Sequence, residues 1–392
     1  MKKPGFTEMK RALQLTRLGR LKEAMDVLQA KLWPASRPAQ TNEPAPTVTS
    51  ARAPLEALPG VEPSGESAPA RDDAGSDAPA PRTASWTPLK STVSKPRMRV
   101  GVPTSTHTSP IPAGAGFEDY PLGALAQGRT AKLYVPASYD GSPCPLVVML
   151  HGCTQTPDDF ARGTRMNALA EHHNFLVVYP AQSMRANVSR CWNWFNGADQ
   201  QRGHGEPAWI ADVTRKVIGE FAVDPSRVYV AGLSAGGAMA AILGLTYPDI
   251  YAAVGVHSGL AAGSAHDVAS AMAAMRSGSA GGVAGEGSMP TIVFHGDSDT
   301  TVHPDNGVHV AEQARGQRSQ RADVSTGTTS AGVKFERSVE PNADGLPMLE
   351  YWLVGGAGHA WSGGDADGSF VAPDGPDASE AMWQFFIAHR RQ

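Results

Sequence analysis

Ten residues near the middle of the chain, Val228 to Gly237, read Val-Tyr-Val-Ala-Gly-Leu-Ser-Ala-Gly-Gly. A β-branched apolar run enters this stretch and an alanine-rich helical run leaves it, so the backbone must pass from strand to helix within a few residues. Gly232 and Gly236 remove the side chains that would collide in so sharp a turn. Ser234, between them, is pressed into a strained conformation with its hydroxyl projecting above the sheet. The helix that follows aims its N-terminal N–H groups at the same point, where they favour developing negative charge. The bland alternative is a glycine-rich turn whose serine only caps the helix.

The flanking sequence repeats this alternation. Apolar runs predict strands at 129–135, 145–150, 175–179, 227–231, 252–256, 291–294 and 348–354, and helical periodicity predicts helices at 157–173, 207–221, 235–245 and 378–389. Buried strands alternating with helices pair in parallel through crossover units, which gives an α/β fold: a mostly parallel sheet with helices on both faces. A Gly/Ala/Ser-rich stretch at 261–288 breaks the rhythm. This domain occupies 115–392.

Two different segments precede it. Residues 34–114 are rich in Pro, Ala, Ser and Thr, with ten prolines between Pro34 and Pro81, too little apolar surface to offset ordering entropy, and read as an extended linker. Residues 1–33 hold eight basic and three acidic residues, with Leu21, Ala24, Met25, Leu28 and Leu32 at helical spacing. They predict a basic amphipathic hairpin that packs on its own domain or dimerises, lies on an apolar or anionic surface such as a lipid-coated granule, or forms a tetratricopeptide-like half-repeat. The whole chain carries 34 basic and 38 acidic residues, a net charge of −4, which argues against nucleic-acid binding. It contains no apolar run of the roughly 18 residues that a membrane span needs. No Sec-type signal is read at the start, so the expectation is a cytoplasmic or granule-associated protein, with an extracellular one as the alternative. The three cysteines lack metal-ligand spacing, and no metal or cofactor is expected.

A serine hydroxyl needs a base, and the base an orienting acid. In this architecture both follow the serine, each after a late strand. The run His295-Gly296-Asp297-Ser298-Asp299 offers two acids, of which Asp299 is preferred, Asp297 being better suited to forming the turn with its own backbone. The Gly-rich run Gly355-Gly356-Ala357-Gly358-His359 supplies the base, with a surface-loop histidine as its bland alternative. His172 and His173 read as solvated, His295 as a buried turn residue, and His257 as a neighbour of the site with no assigned role. The loop Leu150-His151-Gly152-Cys153-Thr154-Gln155 follows an earlier strand and is placed to complete an oxyanion hole from the backbone N–H groups of Cys153 and Ala235, with His151 shaping the turn. Cys153 is either bridged to Cys191 or one of two separate buried thiols. Trp192, Trp194, Phe195 and Trp361 form either an apolar wall for substrate or part of the core.

These same segments resemble the poly(3-hydroxybutyrate) depolymerase-like esterases, a family that includes short-chain polyhydroxyalkanoate depolymerases and feruloyl and acetylxylan esterases. The likeness runs through His151-Gly152-Cys153-Thr154-Gln155-Thr156, Cys191-Trp192-Asn193-Trp194-Phe195, Asp224-Pro225-Ser226-Arg227, Gly232-Leu233-Ser234-Ala235-Gly236, His295-Gly296-Asp297-Ser298-Asp299 and Gly358-His359-Ala360-Trp361. The resemblance implies an α/β-hydrolase fold and ester cleavage through an acyl-enzyme. It implies Ser234, Asp299 and His359 as nucleophile, acid and base, Cys153 and Ala235 at the oxyanion hole, and no cofactor. The expected substrate is a short-chain polyhydroxyalkanoate or its oligomers, with a feruloyl or acetylxylan ester as the alternative. A non-catalytic interaction protein on the same scaffold is the contrasting class.

Overall fold

The computed structural model describes residues 111–279, 289–318 and 321–391. The hairpin expected at 1–33 and the linker expected at 34–114, save its last four residues, lie outside the described residues.

In chain order the strands and helices are β1 (Gly116–Asp119), β2 (Thr130–Val135), β3 (Cys144–Leu150), α1 (Pro157–Thr164), α2 (Met166–His173), β4 (Leu176–Ala181), α3 (Gly205–Glu220), β5 (Val223–Leu233), α4 (Ala235–Thr246) and β6 (Ala253–His257). Then follow α5 (Val268–Ser277), β7 (Thr291–Gly296), α6 (Asp305–Arg315), β8 (Asp323–Thr328), β9 (Lys334–Pro341), β10 (Pro347–Val354), the short pair β11 (Trp361–Ser362) and β12 (Val371–Ala372), and α7 (Ala378–Ile387).

Ten strands form one sheet in the order β1-β2-β4-β3-β5-β6-β7-β10-β9-β8. The six central strands are parallel, as the alternation predicts. Antiparallel pairs flank them, β1 and β2 on one side and β9 and β8 on the other. Of these four flanking strands only β2 coincides with an expected strand. β8, Asp-Val-Ser-Thr-Gly-Thr, is an almost wholly exposed edge strand without the apolar run that marks a buried one.

All seven residues of β3 are buried, and they alternate between two cores. Val147 and Met149 pack with Phe160, Met166, Met382 and Phe386 of α1, α2 and α7. Leu146, Val148 and Leu150 pack with Ile210, Met239 and Val310 of α3, α4 and α6. Helices therefore cover both faces. Residues 157–173 form two helices, since Arg165 adopts a left-handed φ of 57° that ends α1 and begins α2. Within 261–288 the alanines of 268–277 form α5, closed at its start by reciprocal Asp267 and Ser270 hydrogen bonds.

This topology places the site. The chain leaves β3 toward the α1 face and leaves the adjacent β5 toward the α4 face. Connections that diverge from neighbouring parallel strands open a crevice at their carboxyl ends. Both the Cys153 loop and Ser234 border that crevice.

Candidate active site

Ser234 sits between β5 and α4 with φ 57° and ψ −119°, a strained conformation for a residue with a side chain. It persists because the turn leaves no room for another: a Cβ on Gly232 would fall 2.4 Å from the Gly236 carbonyl carbon. The Ser234 N–H donates to the His257 carbonyl at 2.8 Å. Its side chain makes no capping bond to the helix, which removes the bland reading of this serine. Ala235 is the first residue of α4, so its N–H has no acceptor within the helix.

The acid and base loops meet from the ends of β7 and β10. His359 Nδ1 donates to Asp299 Oδ2 at 2.7 Å, with Asp299 fully buried and 8% of the His359 side chain exposed. The other carboxylate oxygen accepts from the N–H groups of Thr301 at 2.8 Å and Val302 at 2.9 Å, so its orientation is fixed from behind. Burial alone would push the Asp299 carboxyl up. The imidazoles of His359 and His295 beside it outweigh that and hold it below the usual carboxylate range. Such an acid stays ionised and fixes the imidazole tautomer that leaves Nε2 free to accept a proton.

The Asp297 side chain does not turn back on its own backbone as expected: its Oδ1 accepts from the Ser298 hydroxyl at 2.9 Å and from Gly356 N–H at 2.7 Å, which ties the acid loop to the base loop. His257, left without a role by the sequence, is a second tie. Its carbonyl holds the Ser234 amide, and its Nε2 accepts from Ser362 N–H at 3.0 Å, three residues beyond His359. Its ring stacks on Trp361 at 5.0 Å and on Phe294 at 5.7 Å. Burial holds this imidazole well below its ordinary value, so it is neutral.

On the far side of the crevice, Cys153 and Cys191 form a disulfide, which settles the two readings of these thiols, while Cys144 is a buried free thiol. Gly152 N–H donates to Gln155 Oε1 at 2.8 Å and Thr154 N–H to the Ser189 carbonyl at 2.6 Å, and the Cys153 N–H lies between these anchored neighbours. His151 holds the base of this loop: Nδ1 donates to the Gly152 carbonyl at 2.8 Å and Nε2 accepts from Gln182 N–H at 3.1 Å. Burial holds its imidazole down to about 4.

The tryptophans belong to the core. Trp192 and Trp361 are 0% and 1% exposed, with their indole N–H groups donated inward, to the His151 carbonyl at 3.1 Å and to Ser379 Oγ at 3.1 Å. Trp194 is buried in the same core as Trp192. The wall of substrate contacts expected from Trp192, Trp194 and Trp361 is therefore corrected: the first and last support the oxyanion and base loops from beneath. Phe195 is half-buried beside Trp194. A cavity of about 850 Å³ between Phe117, Lys132, Arg162, Asn167 and Gly364 holds none of the triad candidates. Among the described residues no cluster of His, Cys, Asp and Glu is placed to hold a metal ion, and no helix is long and apolar enough to cross a membrane.

Residues 130–337, more than half of the chain, match the family described as esterase PHB depolymerase. Poly(3-hydroxyalkanoate) depolymerase C of Paucimonas lemoignei is 36% identical over 241 residues, covering 58% of this chain and 57% of the relative. Acetylxylan esterase A of Talaromyces purpureogenus is 30% identical over 225 residues, covering 53% of this chain and 58% of the relative. The chain thus spans less than two thirds of the length of these curated relatives. Among solved structures, an acetyl xylan esterase from Aspergillus awamori superposes with a TM-score of 0.54 at 20% identity, covering 70% of this chain and 99% of the other. That superposition places the sheet and its helices in the α/β-hydrolase fold.

Proposed function

Because this chain belongs to the esterase PHB depolymerase family, we propose that it is a serine esterase that hydrolyses short-chain polyhydroxyalkanoates or their oligomers. The observations that support the reading are the His359–Asp299 pair at the ends of β10 and β7 and a serine held at the strand-to-helix elbow after β5. The link from His359 Nε2 to Ser234 Oγ is the step this proposal adds; such contacts are commonly loose until substrate docks.

The cycle has two halves. His359 Nε2 takes the Ser234 proton as Oγ bonds to the ester carbonyl carbon, and the carbonyl π electrons move onto oxygen. The N–H groups of Cys153 and Ala235 hold that oxyanion, aided by the N-terminal end of α4. The tetrahedral centre collapses, the bond to the alcohol oxygen breaks, and that oxygen takes the proton from His359. Water then gives a proton to the same imidazole as its oxygen attacks the acyl carbon. Collapse of the second intermediate releases the acid and returns the proton to Ser234.

The depolymerase reading draws on the 36% identity to a polyhydroxyalkanoate depolymerase, and a second reading, an ester hydrolase of acetylated or feruloylated polysaccharide, on the acetylxylan esterase relatives. Turnover of hydroxybutyrate oligomers, acetylated xylan and methyl ferulate on one preparation separates them. Preference for either of the latter two overturns the polyester reading, and wild-type turnover by Ser234→Ala overturns the esterase reading itself. The disulfide supports an oxidising compartment over the cytoplasm, and thiol trapping in intact cells tests that. Should that trapping place the chain in the cytoplasm instead, the basic segment 1–33 would serve as a tether to a granule surface; granule association unchanged by deletion of residues 1–110 removes that idea.

A further inference from the structure

Gln155 occupies a position that neither the triad nor the oxyanion donors explain. Its side chain is almost fully buried, with 2% of the residue exposed, and both ends of its amide are engaged. Oε1 accepts from Gly152 N–H at 2.8 Å, on the peptide next to the Cys153 N–H. Nε2 donates to the Ser369 carbonyl at 3.0 Å, and lies 3.2 Å from Asp159 Oδ2 and 3.3 Å from Ser369 Oγ. Asp159 completes the triangle, accepting from Ser369 N–H at 3.0 Å and from the Ser369 hydroxyl.

Ser369 lies in the loop that follows His359, and its neighbour Phe370 accepts from Trp361 N–H at 2.7 Å. One buried amide therefore joins the Cys153 loop to the β11–β12 loop, segments 214 residues apart, and the Trp361–Phe370 bond carries that tie back toward His359. Gly152 also rests on the elbow: a Cβ there would lie 3.1 Å from Gln155 Oε1 and 3.5 Å from the Leu233 carbonyl oxygen. By fixing the His151–Gly152 peptide, the Gln155 acceptor restrains the Gly152 backbone that sets the direction of the next N–H, that of Cys153, the proposed donor. An oxyanion donor is effective only when held in place before the charge develops.

We infer that Gln155 is a positioning residue for transition-state binding, setting the Cys153 N–H and the His359 loop in register through one amide. This rests on the esterase reading above, and it predicts a defect in turnover more than in substrate binding. Asp159 shares the task, because it aligns Ser369 for the amide.

The test uses the full chain with p-nitrophenyl acetate as substrate and phenylboronic acid as a mimic of the tetrahedral adduct. Gln155→Met keeps the length and removes both polar ends. It is expected to lower kcat by about 10- to 100-fold with KM changed by less than about threefold, and to weaken phenylboronic acid binding by a similar factor. Gln155→Glu keeps the acceptor for Gly152 but sets a second carboxylate against Asp159, so it too loses turnover. Gln155→Glu with Asp159→Asn restores a donor–acceptor pair and is expected to recover about tenfold over Gln155→Glu alone. A purely structural role would lower the thermal midpoint and the fraction of active sites while leaving kcat per titrated active site and phenylboronic acid affinity at their wild-type values. Should Gln155→Met fail to fold, Gln155→Glu and its double variant carry the comparison. Wild-type kcat and phenylboronic acid affinity in a folded Gln155 variant, with Ser234→Ala inactive, overturn the inference and leave the esterase reading standing; an active Ser234→Ala overturns that reading first.

Discussion

Gly236 lies directly beneath the Leu150 carbonyl, so close that a Cβ on it would fall 2.0 Å from that oxygen. The start of α4 is thereby pressed onto the end of β3, and the two loops proposed to share the oxyanion are held side by side. Gly236→Ala must push these backbones apart. A loss of about 3 kcal/mol or more is expected in denaturant unfolding, together with loss of ester hydrolysis.

Asp299→Asn tests the orienting acid separately from the fold. The backbone donors Thr301 and Val302 still have an oxygen to meet, so the thermal midpoint should change little. The amide can instead donate to His359 Nδ1 and hold the wrong tautomer. Turnover is expected to drop about 10⁴-fold with KM nearly unchanged, measured by steady-state kinetics on a soluble ester.

The Cys153–Cys191 bridge closes a loop with a sequence separation of 38. On loop-entropy grounds its removal should cost about 4 kcal/mol. Cys191→Ser, or treatment with a reductant, is expected to lower the thermal midpoint and also turnover, since Cys153 is the proposed oxyanion donor. Full turnover after complete reduction, checked by thiol titration, would count against Cys153 as a donor.

Acid should destabilise this fold well before its carboxylates are all protonated. His151 is held down to about 4 by burial, and His257 is held down as well, against roughly 6.5 in an unfolded chain. Between those values the unfolded chain binds a proton that the native site refuses, so stability falls as pH drops from about 6.5 toward 4. The His151 contribution is about 3 kcal/mol. Asp299, held low, adds a loss of the same sign at more acidic pH. Glu206, raised by burial, works in the opposite direction. Urea unfolding at pH 7.5 and pH 5, on the wild type and on Glu206→Gln, measures the difference; equal stability at the two pH values in both proteins would show that these imidazoles titrate normally.

The central strands and the elbow were legible because their signals are local. A run such as 144–150 is apolar at every position only if both of its faces are buried, and two glycines around a serine between strand and helix leave one conformation open. The break at Arg165 was not legible: the helical pattern runs on through it, and only packing shows where the chain turns. β8 was missed for the converse reason, since an exposed edge strand carries no apolar signature. The tryptophans were ambiguous for a further reason, because indole suits both a core and a binding wall, and the choice depends on what covers it.

By itself the sequence determined which residue types were available in which order: a serine in a turn that only glycines permit, acids after a buried strand, a histidine in a glycine-rich loop. Tertiary structure alone decided which of them touch. The Asp299 carboxylate meets His359 across 60 residues, Asp297 reaches the Gly356 amide, His257 holds both the elbow and the base loop, and Gln155 spans two loops. The physical reason is that a hydrogen bond is set by distances of about 3 Å and by direction. Contacts between residues far apart in the chain take those values only after the sheet has aligned its strand ends.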